Sequence, residues 1–574
     1  MGWSTHACSE PRHAMFQAAD GSVCLWDGRL DNRRRLLDKT GLPSDCADAA
    51  VALACYRKKE IEGLREILGD WSLCIWDALR REIVLASDYA GIRPLYYHLG
   101  AHALCWSTSL TDLVRWLGIN ELDETYVGGF LLRGDAASRT LYAGILSVPA
   151  GHAISIGPGK CVDRAFWSLP VEQETRYPDE GRYQERLAEL FRESVRTRLA
   201  TATPTCAELS GGLDSSSVVC MADQLRRESA QPSPALITFS YTQENSPDER
   251  FFREVEKSCD VTPHRLELRE YPAIAPGVMG TAPEIWEPRY RSLARQMAEL
   301  GANVLLTGQF GDFVMGNTPD DTGQVAELLA HGHFVRAART AYGWAHAMQA
   351  PIYPILWRGA REAFSQWTPP TDPNESVGAI PMLTDDSFTP AFRARIAPPA
   401  LDGSLTRIPA GRRRRFRAAA HLLRSRKLQT PEALQHISYT HPFAHRPLLE
   451  FMLTVPAHIV VAPGQPRRLM RRAFTELLPA AVLNRKSKGS YTSTYRDSFL
   501  PLATALLQGA GKIQLVERGY LERESLLNRL ENYTKGFDCN ETQLRQVLAL
   551  EFWLRARMAP AAQCSPFSSQ AANS

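Results

Sequence analysis

The chain has no apolar run near the roughly 20 residues that cross a bilayer. It has no Cys-x-x-Cys pair among its 12 cysteines and no internal repeat. Its opening, Met1-Gly2-Trp3-Ser4-Thr5-His6, lacks the basic and apolar regions of a signal peptide. These absences exclude a membrane span and argue against a disulfide framework or a cysteine-based zinc site, so the expected setting is the cytoplasm. An excess of one charge is missing too: 66 Lys and Arg against 63 Asp and Glu leave +3. That balance argues against a dedicated binder of nucleic acid or membrane surfaces. What remains is a 574-residue chain of ordinary soluble composition, 44% hydrophobic and 22% charged, with length for two or three domains.

The first part reads as β-rich. Ser22 to Trp26, Trp71 to Trp76, Ile83 to Ala86, Leu104 to Ser107 and Gly151 to Ile156 are short apolar runs bounded by turn signals, with a helix expected over Asp45 to Arg57. Trp26, Trp71, Trp76 and Trp106 are expected in the core of a β-sandwich. A polar linker is expected over Glu172 to Gly181. Beyond it Leu187, Leu190, Phe191, Val195 and Leu199 fall at helical spacing. Strand Thr205 to Leu209, helix Ser216 to Arg226, strand Ala235 to Tyr241, helix Glu249 to Cys259, helix Arg291 to Leu300 and strand Asn303 to Thr307 follow, an alternation that implies a parallel sheet covered by helices. Residues beyond 320 read as mainly helical, and 560–574 as a disordered tail.

Ser210-Gly211-Gly212-Leu213-Asp214-Ser215-Ser216 joins an expected strand to an expected helix. Two glycines let the backbone turn tightly and bring N–H groups to a ligand, and the helix N-terminus behind them favours an anion. Serine hydroxyls add donors, and Asp214 offers a hard oxygen for magnesium. The plain alternative is a Ser/Gly turn capping a helix. No Gly-Lys-Ser/Thr follows, so this is not a Walker loop.

The heptapeptide resembles the pyrophosphate loop of ATP pyrophosphatases that make acyl-adenylates, in particular asparagine-synthetase-like enzymes. Leu306-Thr307-Gly308-Gln309-Phe310-Gly311-Asp312 resembles the family's second loop, His441-Pro442-Phe443-Ala444-His445 its P-F-L-D block with His445 in place of aspartate, and Arg485-Lys486-Ser487-Lys488-Gly489 its lysine block. The resemblance implies ATP and Mg2+ as cofactors, with Asp214 and Asp312 holding the metal. Leu209, Ser210, Gly211, Gly212, Leu213, Asp214, Ser215, Ser216, Phe239, Thr307 and Gly308 would bind ATP and pyrophosphate, and Lys488 would stabilise charge on the α-phosphate and acyl-adenylate oxygen. Leu209 and Phe239 read equally well as strand core.

Residues 26–32 and 85–97, with Trp106-Ser107-Thr108-Ser109, resemble class II glutamine amidotransferases. The implied architecture is an α+β N-terminal-nucleophile-hydrolase-like sandwich over 1–172, followed by an α/β ATP-pyrophosphatase domain with a parallel sheet and extra helices over 182–559. A glutaminase of this type needs a cysteine at its mature N-terminus, yet Gly2 stands there and Cys8 is internal. Asp27 stands where the family places an oxyanion-hole asparagine, setting negative charge against developing negative charge. Glutamine is therefore not expected to be the nitrogen donor.

Loss of glutaminase leaves an amine supplied by the substrate. Gln309 sits where asparagine synthetases carry glutamate and β-lactam synthetases tyrosine, and it cannot accept a proton at neutral pH. A peptide α-amine, with pKa about 7.7–8.0, needs positioning more than a strong base. The resemblance is therefore strongest to lasso-peptide macrolactam synthetases. It implies adenylation of an Asp or Glu side chain in a precursor peptide and closure by the core's N-terminal amine, with Gln309 orienting substrate. Implied partners are that peptide, a leader-binding protein and a leader peptidase. A small-molecule amide or β-lactam synthetase is the alternative, and a non-catalytic scaffold a third reading. Eight basic residues between Arg412 and Lys427 read either as a solvated helix face or as a docking surface for an acidic leader. His331, His333, His436, His441 and His445 read as structural.

Overall fold

The computed structural model describes residues 14–132, 138–200, 202–230, 233–244, 246–275, 280–317, 321–364, 387–396, 408–425, 428–486, 489, 492–509, 511–537 and 541–558. Cys8, Lys488, Arg426, Lys427 and the tail 560–574 lie outside them. No helix among these residues is long and apolar enough to cross a membrane.

The first unit holds β1 (Met15–Gln17), β2 (Val23–Gly28), β3 (Trp71–Asp77), β4 (Glu82–Ser87), β5 (Tyr96–Leu99), β6 (Leu104–Ser107), β7 (Leu146–Ser147), β8 (His152–Gly157) and β9 (Lys160–Ala165). They form two sheets, ordered β1-β2-β3-β4-β8-β9 and β6-β5-β7, antiparallel throughout. Alternation along the strands sends side chains both ways. Cys74, Leu85 and Ile154 meet Tyr97 and Val148 between the sheets. Leu73, Ile75, Val84 and Ala86 face the helices Arg33–Thr40 and Asp48–Lys59 through Leu36, Ala49 and Val51. The far side of the small sheet packs through Tyr96 and Cys105 on the helix Leu110–Leu117. Trp26 and Trp71 stack at 5.5 Å on the helix-facing side of the large sheet rather than between the sheets. Trp76, expected in the core, is 39% exposed.

The second unit is built on β10 (Thr205–Glu208), β11 (Leu236–Thr242), β12 (Thr262–Glu267), β13 (Val304–Leu306) and β14 (Ser438–Thr440). These form one wholly parallel sheet in the order β12-β11-β10-β13-β14. Ala207, Leu236 and Leu306 pack on the helices Glu180–Arg196 and Leu213–Arg227. Cys206, Ile237, Phe239 and Leu305 pack on Leu293 and Met297 of the helix Glu287–Glu299. Helices on both faces are what a parallel sheet requires. β12 and β14 are polar, and the sequence analysis does not foresee them.

The two units share a core. One apolar cluster runs from Trp71, Tyr89 and Trp167 to Phe443 and Leu449. Within the same seam lies a sealed ionic network. Arg29 binds Asp31 at 2.6 Å and Asp70 at 2.9 Å, while Arg198 reaches the same carboxylates at 3.4 and 3.3 Å. Thr440 donates to Asp70 at 2.7 Å and accepts from Arg198 at 3.1 Å. His445 approaches Asp31 at 3.6 Å. Burial alone would raise the Asp31 and Asp70 carboxyls, but the two guanidiniums hold both below the usual range. The expected linker is pinned as well, Thr175 N–H donating to Thr454 O at 3.0 Å.

Among its described residues the basic block is not a fully solvated face, and Arg424 lines the cleft between the units. Every described residue of the helix Ala410–Arg424 is buried or half-buried. Arg415 donates to the Met452 and Val455 carbonyls at the C-terminal end of the helix Arg446–Thr454, neutralising its negative pole. Arg413 pairs with Glu362 at 3.0 Å.

Candidate active site

The carboxyl ends of β10 and β13 point the two glycine loops at each other, where ligands bind in open parallel sheets. Gly211 takes φ +69°, and a Cβ there would lie 2.7 Å from Phe252 N. Gly212 caps the helix Leu213–Arg227 without any side-chain bond, so the first turn's N–H groups are not covered by a capping side chain. Ser215 Oγ accepts from Ser210 N–H at 3.1 Å, fixing the turn. The second loop comes so close that a Cβ on Gly308 would lie 2.6 Å from Ser215 N, and one on Gly311 2.3 Å from Asp214 Oδ1. Glycine is required at both places.

Between the loops opens a cavity of about 370 Å³, lined by Glu208, Leu209, Ser210, Gly212, Asp214, Ser215, Phe239, Gly308, Gln309 and Asp312 among others. The sequence-derived site residues Gly211, Leu213, Ser216 and Thr307 do not line it. Ser216 and the Leu213 side chain are buried in the helix behind the loop. Thr307 Oγ1 lies 2.7 Å from His441 Nδ1, and His441 Nε2 lies 3.2 Å from the Leu428 carbonyl. A carbonyl only accepts, so Nε2 carries the proton and Nδ1 accepts from Thr307. Thr307 in turn accepts from Gln309 N–H at 3.2 Å. Burial pushes the His441 imidazole down to about 4, keeping this relay neutral. Thr307 thus positions Gln309 through its hydroxyl.

Asp214 and Asp312 converge on one residue that the sequence analysis missed. Arg467 binds Asp214 at 2.6 Å and also pairs with Asp312. It is buried at φ +55°, a strained setting for a non-glycine residue. Phe310, between the loops, has φ +76°. Two carboxylates gathered on one cationic head form a hard-oxygen donor set that fits magnesium. No local motif marks Arg467; it stands among other arginines 253 residues from Asp214.

The lysine block is tied to the same loop. Arg485 donates to Gly211 O at 2.9 Å, pairs with the buried Asp248, and lies 4.1 Å above the Phe251 ring. Gly489 N–H donates to Asp248 at 2.9 Å. Arg485 and Gly489, on either side of Lys488 in the sequence, are therefore anchored beside the phosphate loop.

A second cavity, a cleft of about 500 Å³, lies between the two units and is lined from both, by Asp27, Arg93, Tyr96, Glu284, Trp286, Glu432 and others. Gln309 lines both cavities. Its amide donates to Tyr439 Oη, which faces the cleft. Glu432 bridges the units, accepting from Thr111 Oγ1 and from Thr281 N–H at 3.1 Å.

A phosphate loop at the carboxyl end of a parallel sheet, facing two aspartates, defines a nucleotide-cleaving domain behind an amidotransferase-type sandwich. The asparagine synthase family model matches residues 186–555 and the glutamine amidotransferase domain model residues 29–167. The chain belongs to the asparagine synthase family. Relatives include the asparagine synthetase (glutamine-hydrolyzing) 2 of Bacillus subtilis, 26% identical over 35% of this chain and 29% of its own length. The asparagine synthetase (glutamine-hydrolyzing) 3 of the same organism is 24% identical over 35% and 34%. The amidase chry2 of Gibberella zeae is 26% identical over 32% and 27%. The chain spans about a third of the length of these relatives.

Proposed function

We propose that this protein closes an amide ring within a ribosomally made peptide. ATP and Mg2+ bind in the 370 Å³ cavity, where an Asp or Glu side chain of the peptide attacks the α-phosphate and pyrophosphate leaves. The peptide's N-terminal amine then attacks the acyl-adenylate, releasing AMP. The observation that carries this reading is the junction at Gln309, where a carboxylate activated in the nucleotide cavity is reached from the cleft. A cleft of about 500 Å³ has room for several residues of chain, more than ammonia needs.

The phosphate-loop donors and Lys488 stabilise charge on the departing phosphates. Asp214 and Asp312 would hold magnesium, which screens the pyrophosphate when bound. Gln309, fixed by Tyr439 and Thr307, orients the peptide so that closure is driven by proximity. Glutamine hydrolysis plays no part, Asp27 at the cleft offering a carboxylate where the reaction needs a donor. The precursor peptide, its leader-binding protein and its leader peptidase act with the enzyme in the cytoplasm. The test is incubation with ATP, Mg2+ and synthetic peptides bearing a free N-terminus and one internal Asp or Glu. AMP with loss of one water from the peptide is the expected outcome. AMP formed only with a small β-amino acid makes the protein a β-lactam-type synthetase, and no AMP with any carboxylate makes it a scaffold.

A further inference from the structure

The reaction above leaves a proton to be removed, and no residue assigned so far removes it. When a neutral amine attacks an acyl-adenylate, the new nitrogen carries a surplus proton, and Gln309 cannot accept it. Within the nucleotide cavity, one carboxylate outside the Arg467 pair stands where it could. Glu208 closes β10, one residue before the phosphate loop segment Leu209-Ser210, and lines the nucleotide cavity with Phe239, Tyr241 and Gln309. Its carboxylate accepts no hydrogen bond from any described residue, unlike Asp214 and Asp312, which are engaged by Arg467.

We propose that Glu208 is the proton acceptor for the attacking amine, a role that rests on the amide-forming reading of the site. The groups facing it are Arg289 and Tyr290 of the helix Glu287–Glu299, Tyr241 of β11 and Tyr439 of β14. Arg289 is held over the Trp286 ring at 3.9 Å and the Tyr241 ring at 4.6 Å, so it acts on Glu208 from a fixed place. Glu284, which lines the neighbouring cleft, bears on Tyr290. Burial raises the Glu208 carboxyl to about 7 against the pull of Arg289, which matches a base to a peptide amine near neutral pH.

The step balances. The amine lone pair forms the C–N bond, the C–O bond to AMP breaks with its electrons passing to AMP, and the nitrogen's surplus proton passes to Glu208. A neutral amide, anionic AMP and a carboxylic acid result, and the acid re-ionises to solvent before the next turnover. The first half-reaction, attack of a carboxylate on the α-phosphate, involves no proton and does not need Glu208.

The test compares the full-length wild type with Glu208→Gln and Glu208→Asp, using the synthetic Asp- or Glu-bearing peptides. Three readouts are taken: ATP–pyrophosphate exchange, hydroxamate formed with added hydroxylamine, and ring closure from pH 5 to 9. Glu208→Gln is expected to keep exchange and hydroxamate, since hydroxylamine is a small, free-diffusing nucleophile whose surplus proton can pass to solvent, and to lose ring closure by about 100-fold or more. On the acid side, log rate of closure should rise with slope two in the wild type, for Glu208 and the amine, and slope one in Glu208→Gln. Glu208→Asp should recover part of the rate and the slope of two. Unchanged closure in Glu208→Gln, or equal loss of exchange and closure with the slope still two, overturns the role of Glu208. Absence of exchange and hydroxamate in the wild type with every peptide overturns the amide-forming reading itself, and Glu208 with it.

Discussion

Two ionic networks in this molecule use the same residue types to opposite ends. In the seam, Arg29 and Arg198 meet Asp31 and Asp70, with Thr440 and His445 filling the remaining contacts. At the phosphate loop, Arg467 meets Asp214 and Asp312 beside an open cavity. The seam network balances two charges against two and is largely buried, as a structural clamp requires. The loop network lines the cavity where a nucleotide would sit, so it can exchange partners. Access, not residue type, separates a clamp from a site.

The clamp should break hardest. Arg198→Met leaves two buried carboxylates short of a partner and should cost about 3–5 kcal/mol, read as a fall in the urea midpoint with no change in ATP–pyrophosphate exchange per folded molecule. His441 comes next. Its imidazole sits at about 4 in the folded chain against 6.5 for the free side chain. The unfolded state therefore binds the proton first, and the contribution of His441 to stability should fall by about 3 kcal/mol as pH drops from 6.5 to 4. It is read as the difference between wild type and His441→Asn, because the raised Asp88, Glu208 and Glu284 carboxyls act in the opposite sense. His441→Asn should remove that contribution, while the loss below pH 4 belongs to Asp31 and Asp70, whose lowered pKa values make the folded chain resist protonation. Urea titrations at each pH separate the two.

Arg467→Met should show the reverse pattern to Arg198→Met. Exchange should fall by about 100-fold, as for loss of one charge-stabilising donor, while the urea midpoint changes little because water and Mg2+ reach both aspartates. A collapse of the fold instead would make this second network a clamp as well. Gly308→Ala is the mildest break. The added Cβ meets Ser215 N at 2.6 Å and should cost about 1–3 kcal/mol, with weaker ATP binding by calorimetry as the loops part.

What was legible in the sequence was contiguous. The heptapeptide Ser210–Ser216 could be read because its strand, turn and helix signals are adjacent, and the alternation around it disclosed the parallel sheet. Arg467, Asp248 and Glu208 could not, because each gains its meaning from a residue that only folding brings near; Arg485 and Asp248 are 237 positions apart. β12 and β14 escaped because their side chains are polar, and strand patterns are read from apolar alternation. The place of Arg415 is not legible because a guanidinium buried on a helix's last carbonyls has the same local sequence as one in water.

The three residues of β14 also set how this chain can fail. Along that short strand and the residue that follows it, Tyr439 and His441 turn toward Gln309 and Thr307, while Thr440 turns the other way, into the seam. Successive residues of a strand point to opposite faces, so a slip of one position would put each on the wrong side. Such an error could not be partial. It would unfasten the two halves and release the glutamine at the cavity junction in the same event, so a molecule that is properly assembled is by the same token properly armed.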